Sequence, residues 1–279
     1  MNFPNPGSIT GSFDREASTR SSAILRIGLV ALVWSCFAKE MIVYRTFQRP
    51  EWLFIGTAYF VFSGMLFVGW RTKFANIGLA LVLNAMVIYL GVYRNHEPFR
   101  HHHTNLLAMA ITWLCFLPSG RSYSLDRWLA LRRAERDGQA PPEERGPVWG
   151  LKLLMAQVTI LYLFGAWDKS YLAYGERLEQ VFQTAYFGSH MPWEGLRVVI
   201  LVTAWTTVVL EYLLVIGLFV RRWHWWLMPM GVAMHILMYV LLPVGTFSLT
   251  MILLYLAFMD PETIHRFIDR QQGHTRGER

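Results

Sequence analysis

Lys169 follows the apolar run Val158–Trp167, with only Asp168 between them. At a membrane boundary a lysine ordinarily snorkels, keeping its stem in apolar surroundings and its ammonium in water. Held away from water it loses its proton more readily and becomes a base, although a neighbouring carboxylate such as Asp168 favours the charged form. His103 and His235 stand in other apolar segments, and their imidazoles add groups that can accept or donate a proton near neutral pH. A lysine base with imidazole partners suits general acid–base chemistry.

Positioning these residues falls to a membrane bundle. The chain has 279 residues, of which 54% are hydrophobic and 16% charged. A soluble domain carries roughly 25% charged residues. Twelve Trp, twelve Tyr and eighteen Phe supply the aromatics typical of membrane interfaces. The net charge of +7 is spread between apolar runs rather than gathered in one stripe, so nucleic acid is not the expected partner. Membrane lipid is. Cys36 and Cys115 each lie inside an apolar segment, and their spacing excludes a C-x-x-C redox pair.

A helical crossing needs about 20 apolar residues. Eight segments come near this: Ile24–Tyr44, Trp52–Trp70, Phe74–Tyr93, His103–Pro118, Val148–Trp167, Val198–Val220, Trp223–Leu242 and Gly245–Met259. A seven-span version merges the last two at Leu242-Pro243-Val244-Gly245. The expected fold is therefore an all-α, polytopic membrane helix bundle of about eight (seven to eight) transmembrane helices. Residues 1–22 form an expected cytoplasmic tail without the apolar core of a signal peptide, residues 23–261 the membrane domain, and residues 262–279 a second cytoplasmic tail.

With eight crossings and the N-terminus inside, eighteen of the 26 Lys and Arg fall on the inner side and seven on the outer, with Lys39 in a span. Positive charge concentrates in cytoplasmic loops, so both termini are expected there, in a plasma (inner) membrane. The connection Ser119–Pro147 is then a solvated inner loop. The aromatic connection Asp168–Arg197 lies outside, along the interface or over the bundle.

This topology brings His103, Lys169, His235 and the turn Gly245-Thr246-Phe247-Ser248 to the outer side, with His235 about 10 Å below the outer end of its helix. Depth does not establish lateral contact, and each residue has a plainer reading. His101, His102 and His103 can be a polar helix start, because neighbours on a helix point about 100° apart and do not form a metal cage. No metal is expected. His235 can be an interhelical hydrogen-bonding residue. Glu211, deep in its span, reads first as a residue that locks the bundle.

Three segments carry a resemblance to a known family. His103-Thr104-Asn105-Leu106-Leu107 leads a span that ends in Pro118-Ser119-Gly120-Arg121-Ser122-Tyr123-Ser124-Leu125-Asp126. Gln157 and Tyr162 precede Lys169, with Tyr174-Gly175 after it. His235 is followed by Gly245-Thr246-Phe247-Ser248. Together these resemble the horizontally transferred transmembrane (HTTM) family, which includes the transmembrane part of the vitamin K-dependent gamma-carboxylase. The resemblance implies an extracytoplasmic site in which Lys169 is the base and His103 and His235 orient a quinol. It implies that Tyr162, Gly245, Phe247 and Ser248 line the quinol site. The implied cofactor is a reduced quinone, vitamin K hydroquinone or menaquinol, with O2 and CO2 as co-substrates. Epoxidation, coupled or uncoupled to carboxylation, is the expected chemistry. The alternative implied by short relatives is a non-catalytic scaffold that assists maturation or export of a peptide. A transporter gains little support, since no internal repeat or pair of broken helices marks a midplane site.

Overall fold

The computed structural model describes residues 15–43, 50–95, 99–168, 193–241 and 245–277. It is helical almost throughout, and each of the eight apolar segments is built on a helix. In chain order the helices are α1 (Arg20–Val43), α2 (Pro50–Val68), α3 (Thr72–Ala85), α4 (His102–Leu114), α5 (Leu125–Arg136), α6 (Gly150–Asp168), α7 (Trp193–Gly217), α8 (His224–Leu241), α9 (Gly245–Leu254) and α10 (Pro261–Gly277). A π-helical stretch, Met86–Tyr93, extends α3. Four stretches are long and apolar enough to cross a bilayer alone: Arg20–Ile42, Thr72–Tyr93, Gly150–Trp167 and Val198–Gly217. Joining Gly245–Ala257 to Pro261–Gln271 would make a fifth.

Large apolar side chains face outward along these helices. Phe54 is 76% exposed, Val92 72% and Trp225 79%. Water would penalise so continuous an apolar surface, whereas lipid accepts it.

The chain divides into two compact units, residues 1–154 with 259–279, and residues 155–258. In the first, α1 packs on α2 and α4, and α3 packs on α2 and α4, closing a four-helix ring. Buried Leu29, Val33, Tyr59, Leu66, Leu79, Leu83, Leu107 and Ile111 fill it. Tyr59 on α2 donates to the Val33 carbonyl of α1 at 2.9 Å, and Trp34 donates to Ser63 at 2.8 Å. In the second unit α8 packs on α7 and α9. The sequence junction at Leu242–Gly245 thus lies between two separate helices that pack together.

The segments expected to be solvated are more structured than their polarity suggested. Glu16–Ser18 (β1) pairs antiparallel with Arg145–Pro147 (β2), so the expected N-terminal tail ends in a ladder with the inner loop. That loop also contains α5. The expected C-terminal tail forms α10, an amphipathic helix that packs on α1 and β1. Glu262 accepts from the Ser18 amide at 3.1 Å and pairs with Arg145 at 3.0 Å. Arg20 pairs with Glu144 at 2.8 Å and with Asp269 at 2.6 Å. These contacts use charged side chains and edge backbone groups, which an apolar periodicity does not register. The first-unit segments assigned by charge to one side of the membrane, including both ends of the described chain, gather at one end of the four-helix ring.

Candidate functional site

That end of the first unit is held by the segment Pro118–Asp126. Arg26, one turn and a half into α1 and fully buried, donates to the Ser119 carbonyl at 2.6 Å and to the Tyr123 carbonyl at 2.5 Å. Asp126 caps the start of α3, accepting from the Arg71 amide (2.8 Å), the Thr72 amide (2.7 Å) and the Thr72 hydroxyl (2.7 Å). A carboxylate there offsets the exposed amides and the positive helix end. Ser124 caps α5 by accepting from the Arg127 amide at 2.9 Å. Gly69 is in the left-handed region (φ 72°), and a Cβ on it would lie 2.4 Å from that of Ser124. The motif is thus a clamp joining three helices.

His103 lies at the first turn of α4, half-buried, with its ring stacked on that of His101 at 5.2 Å. Among the described residues no three His, Cys, Asp or Glu form a group able to hold a metal. Cys36 and Cys115 are half-buried thiols, with no disulfide between them.

The second unit contains a different kind of cluster. Tyr162 on α6 projects between α8 and the end of α9. Its hydroxyl lies 2.7 Å from His235 Nε2 and 2.5 Å from the Tyr255 hydroxyl. All three side chains are at most 4% exposed. Gly231 precedes His235 by one helical turn, and its missing side chain gives the Tyr255 phenol its room. A Cβ there would lie 2.0 Å from the Tyr255 oxygen. Phe247 sets its ring edge-on to His235 at 6.1 Å. Ser248 is fully buried and its hydroxyl makes no hydrogen bond among the described residues. Glu211 on α7 is 3% exposed and close enough to act electrostatically on both phenols.

Three groups that can each donate and accept could pass a proton along this chain in either direction. When His235 Nε2 accepts, Tyr162 donates to it and accepts from Tyr255. When Nε2 carries the proton, both bonds reverse. Shifting both protons along the chain takes one proton in at the Tyr255 end and releases one at the His235 end; without that exchange it separates a phenolate from an imidazolium.

Of the residues singled out by sequence, the second unit brings Tyr162, His235 and Phe247 together, with buried Ser248 next in α9. Gly245 opens α9 against Tyr239, whose ring a Cβ would meet at 3.1 Å. His103 belongs to the first unit. Lys169 is the residue after α6 and lies outside the described residues, as does most of the aromatic outer connection. Sequence reasoning missed Tyr255 and placed Glu211 apart from the cluster. A glycine one turn before a histidine on an apolar helix was the available sign that another polar group approaches there.

A helical bundle with lipid-exposed apolar faces and a buried polar chain defines a multi-pass membrane protein. Residues 38–262 match the model of the HTTM domain, most of the chain, and the protein belongs to that family. No curated protein and no solved structure matches it.

Proposed function

We propose that this protein is a quinol-oxidising membrane enzyme related in chemistry to the vitamin K-dependent gamma-carboxylase. The observation that carries the reading is the buried His235–Tyr162–Tyr255 chain, which joins Tyr162 and His235, from two of the three segments that carry the family resemblance, to Tyr255, which lies outside them. A quinol needs an apolar slot with a few hydrogen-bonding groups. Phe247, the buried hydroxyl of Ser248 and the phenols of the chain have that character. In the overall reaction a hydroquinone and O2 give a quinone epoxide and water; the hydroquinone loses four electrons and dioxygen gains them.

Lys169, as a neutral amine, takes the first hydroxyl proton, whose pKa near 10 matches an amine in apolar surroundings. Gly245 completes the second-unit set that orients the quinol; the role of His103 rests on the family resemblance alone. His235, Tyr162 and Tyr255 accept and return protons while Glu211 biases the direction. Coupling to CO2 addition on an exported peptide is the further step in this reading. The site faces the extracytoplasmic side of the plasma membrane, consistent with the charge asymmetry of the loops.

The test is epoxide formation by the purified protein from vitamin K hydroquinone or menaquinol under oxygen. Wild type should make epoxide. Lys169→Arg, which keeps the charge but cannot act as a base, should abolish it. Tyr162→Phe should lower the rate about 10²-fold or more, the usual range for lost proton transfer. A folded protein that turns over neither quinol overturns the reading in favour of the peptide-maturation scaffold.

A further inference from the structure

The first unit contains a cleft of about 1140 Å³ that the proposed reaction does not use. Its walls come from the start of α3, the end of α4, the clamp segment, α5 and β2. Its lining divides by chemistry. Lys73, Arg121, Arg127 and Arg145 supply cations, while Ile77, Phe116 and Trp149 supply apolar surface.

Three features separate this cleft from an ordinary basic crevice. Lys73 is exposed and makes no hydrogen bond or ion pair among the described residues. The arginines, by contrast, are held in place: Arg121 donates to the Arg145 carbonyl, and Arg127 donates to the Pro142 carbonyl and lies 3.6 Å from Glu144. Fixed arginines beside a free ammonium present donors without first having to be ordered. Of the carboxylates in the wall, Asp126 spends both oxygens on the Arg71 and Thr72 amides and the Thr72 hydroxyl. Glu262 pairs with Arg145 and Glu144 lies near Arg127, so Lys73 and Arg121 are the cations for which no carboxylate contact is seen among the described residues.

The second feature is Asn76. It is 2% exposed, forms part of the cleft wall, and its Oδ1 accepts no hydrogen bond among the described residues. A buried acceptor left unmatched is unfavourable, so this oxygen favours a ligand with a hydroxyl.

The third is depth. Next to the cleft, α5 exposes Leu125, Trp128 and Leu131, with Arg132 stacked over Trp128 at 5.4 Å. Exposed apolar residues flanked by arginines on a short helix mark one lying in the headgroup layer. Phe116 and Ile77, each 43% exposed, continue the apolar surface toward the hydrocarbon.

We propose that this cleft binds one anionic glycerophospholipid with a hydroxylated headgroup. Its phosphate sits against Lys73, Arg121 and Arg127, a headgroup hydroxyl donates to Asn76 Oδ1, and an acyl chain lies over Ile77 and Phe116. The ligand is chosen by three chemistries at once: a monoanionic phosphate, a donor beyond it, and a hydrocarbon tail.

Native mass spectrometry of the full chain, titrated with phosphatidylglycerol or phosphatidylcholine in detergent, tests this. Wild type should bind one phosphatidylglycerol about tenfold more tightly than phosphatidylcholine. Lys73→Glu should abolish that preference. Arg132→Glu, an equal change of charge outside the cleft lining, should leave it intact. Asn76→Val should weaken phosphatidylglycerol several-fold but leave a methyl-esterified phosphatidic acid unaffected. Equal losses from Lys73→Glu and Arg132→Glu would show diffuse surface charge only and overturn the site. So would tight binding of glycerol 3-phosphate alone by calorimetry, which would make the ligand a soluble phosphate.

Discussion

Arg26 and Tyr162 are both almost completely buried, yet each spends its polar atoms on a different kind of partner. Arg26 bonds to two backbone carbonyls of the clamp, and nearby Asp126 bonds to two backbone amides and a hydroxyl. Those bonds fix where helices begin and end. Tyr162 bonds to an imidazole and a second phenol, all three able to gain or lose a proton. The first arrangement serves geometry, since its charges have nowhere to go. The second is built of groups that can exchange protons, as the proposed chemistry on a quinol requires.

Breaking the clamp should have the largest effect on folding. Arg26→Ala leaves the Ser119 and Tyr123 carbonyls unmatched and should destabilise by about 2–5 kcal/mol. Thermal unfolding in detergent, with limited proteolysis of the 119–147 segment, measures it; an unchanged midpoint would remove the clamp from the comparison. Disturbing the relay should cost less stability and more activity. Gly231→Ala forces the Tyr255 phenol aside and should destabilise by about 1–3 kcal/mol. Its quinol turnover should fall as far as that of Tyr255→Phe, and a turnover equal to wild type would reduce the chain to interhelical adhesion.

The smallest effect belongs to the ion pairs at the end of the first unit. The Arg20 hydrogen bond, foremost, holds the Asp269 carboxyl below its ordinary value. A depressed acid stabilises the fold above the unfolded-state pKa of about 4, and the contribution is lost as pH falls through the lower folded value. The midpoint difference between wild type and Asp269→Asn should therefore be present at pH 7 and vanish in strong acid. A difference that persists there would assign it to packing.

The apolar segments made the helices legible because lipid demands continuous runs, and all eight runs carry one. Tyr162, His235 and Phe247 were legible as a group through motifs, although their contact was not, since α6, α8 and α9 meet only in three dimensions. The strands were hidden because three-residue ladders have no period of their own. Arg26 was only one of the cations in the charge count, which gave no sign that the fold uses it as a bolt between α1 and the clamp. Glu211 was placed by depth along its helix, which says nothing of which neighbours its side face meets.

The pairing of Ser18 with Glu262 spans 244 residues. At about 5–20 residues per second, a ribosome needs roughly 10–50 s to travel that distance. Through that interval β1 has left the ribosome before the helix that latches it, and β2 follows only midway. The end of the first unit is thus completed after the intervening second unit has been synthesised. The end of the first unit is sealed by α10, and a chain that stalls before α10 leaves β1 unlatched.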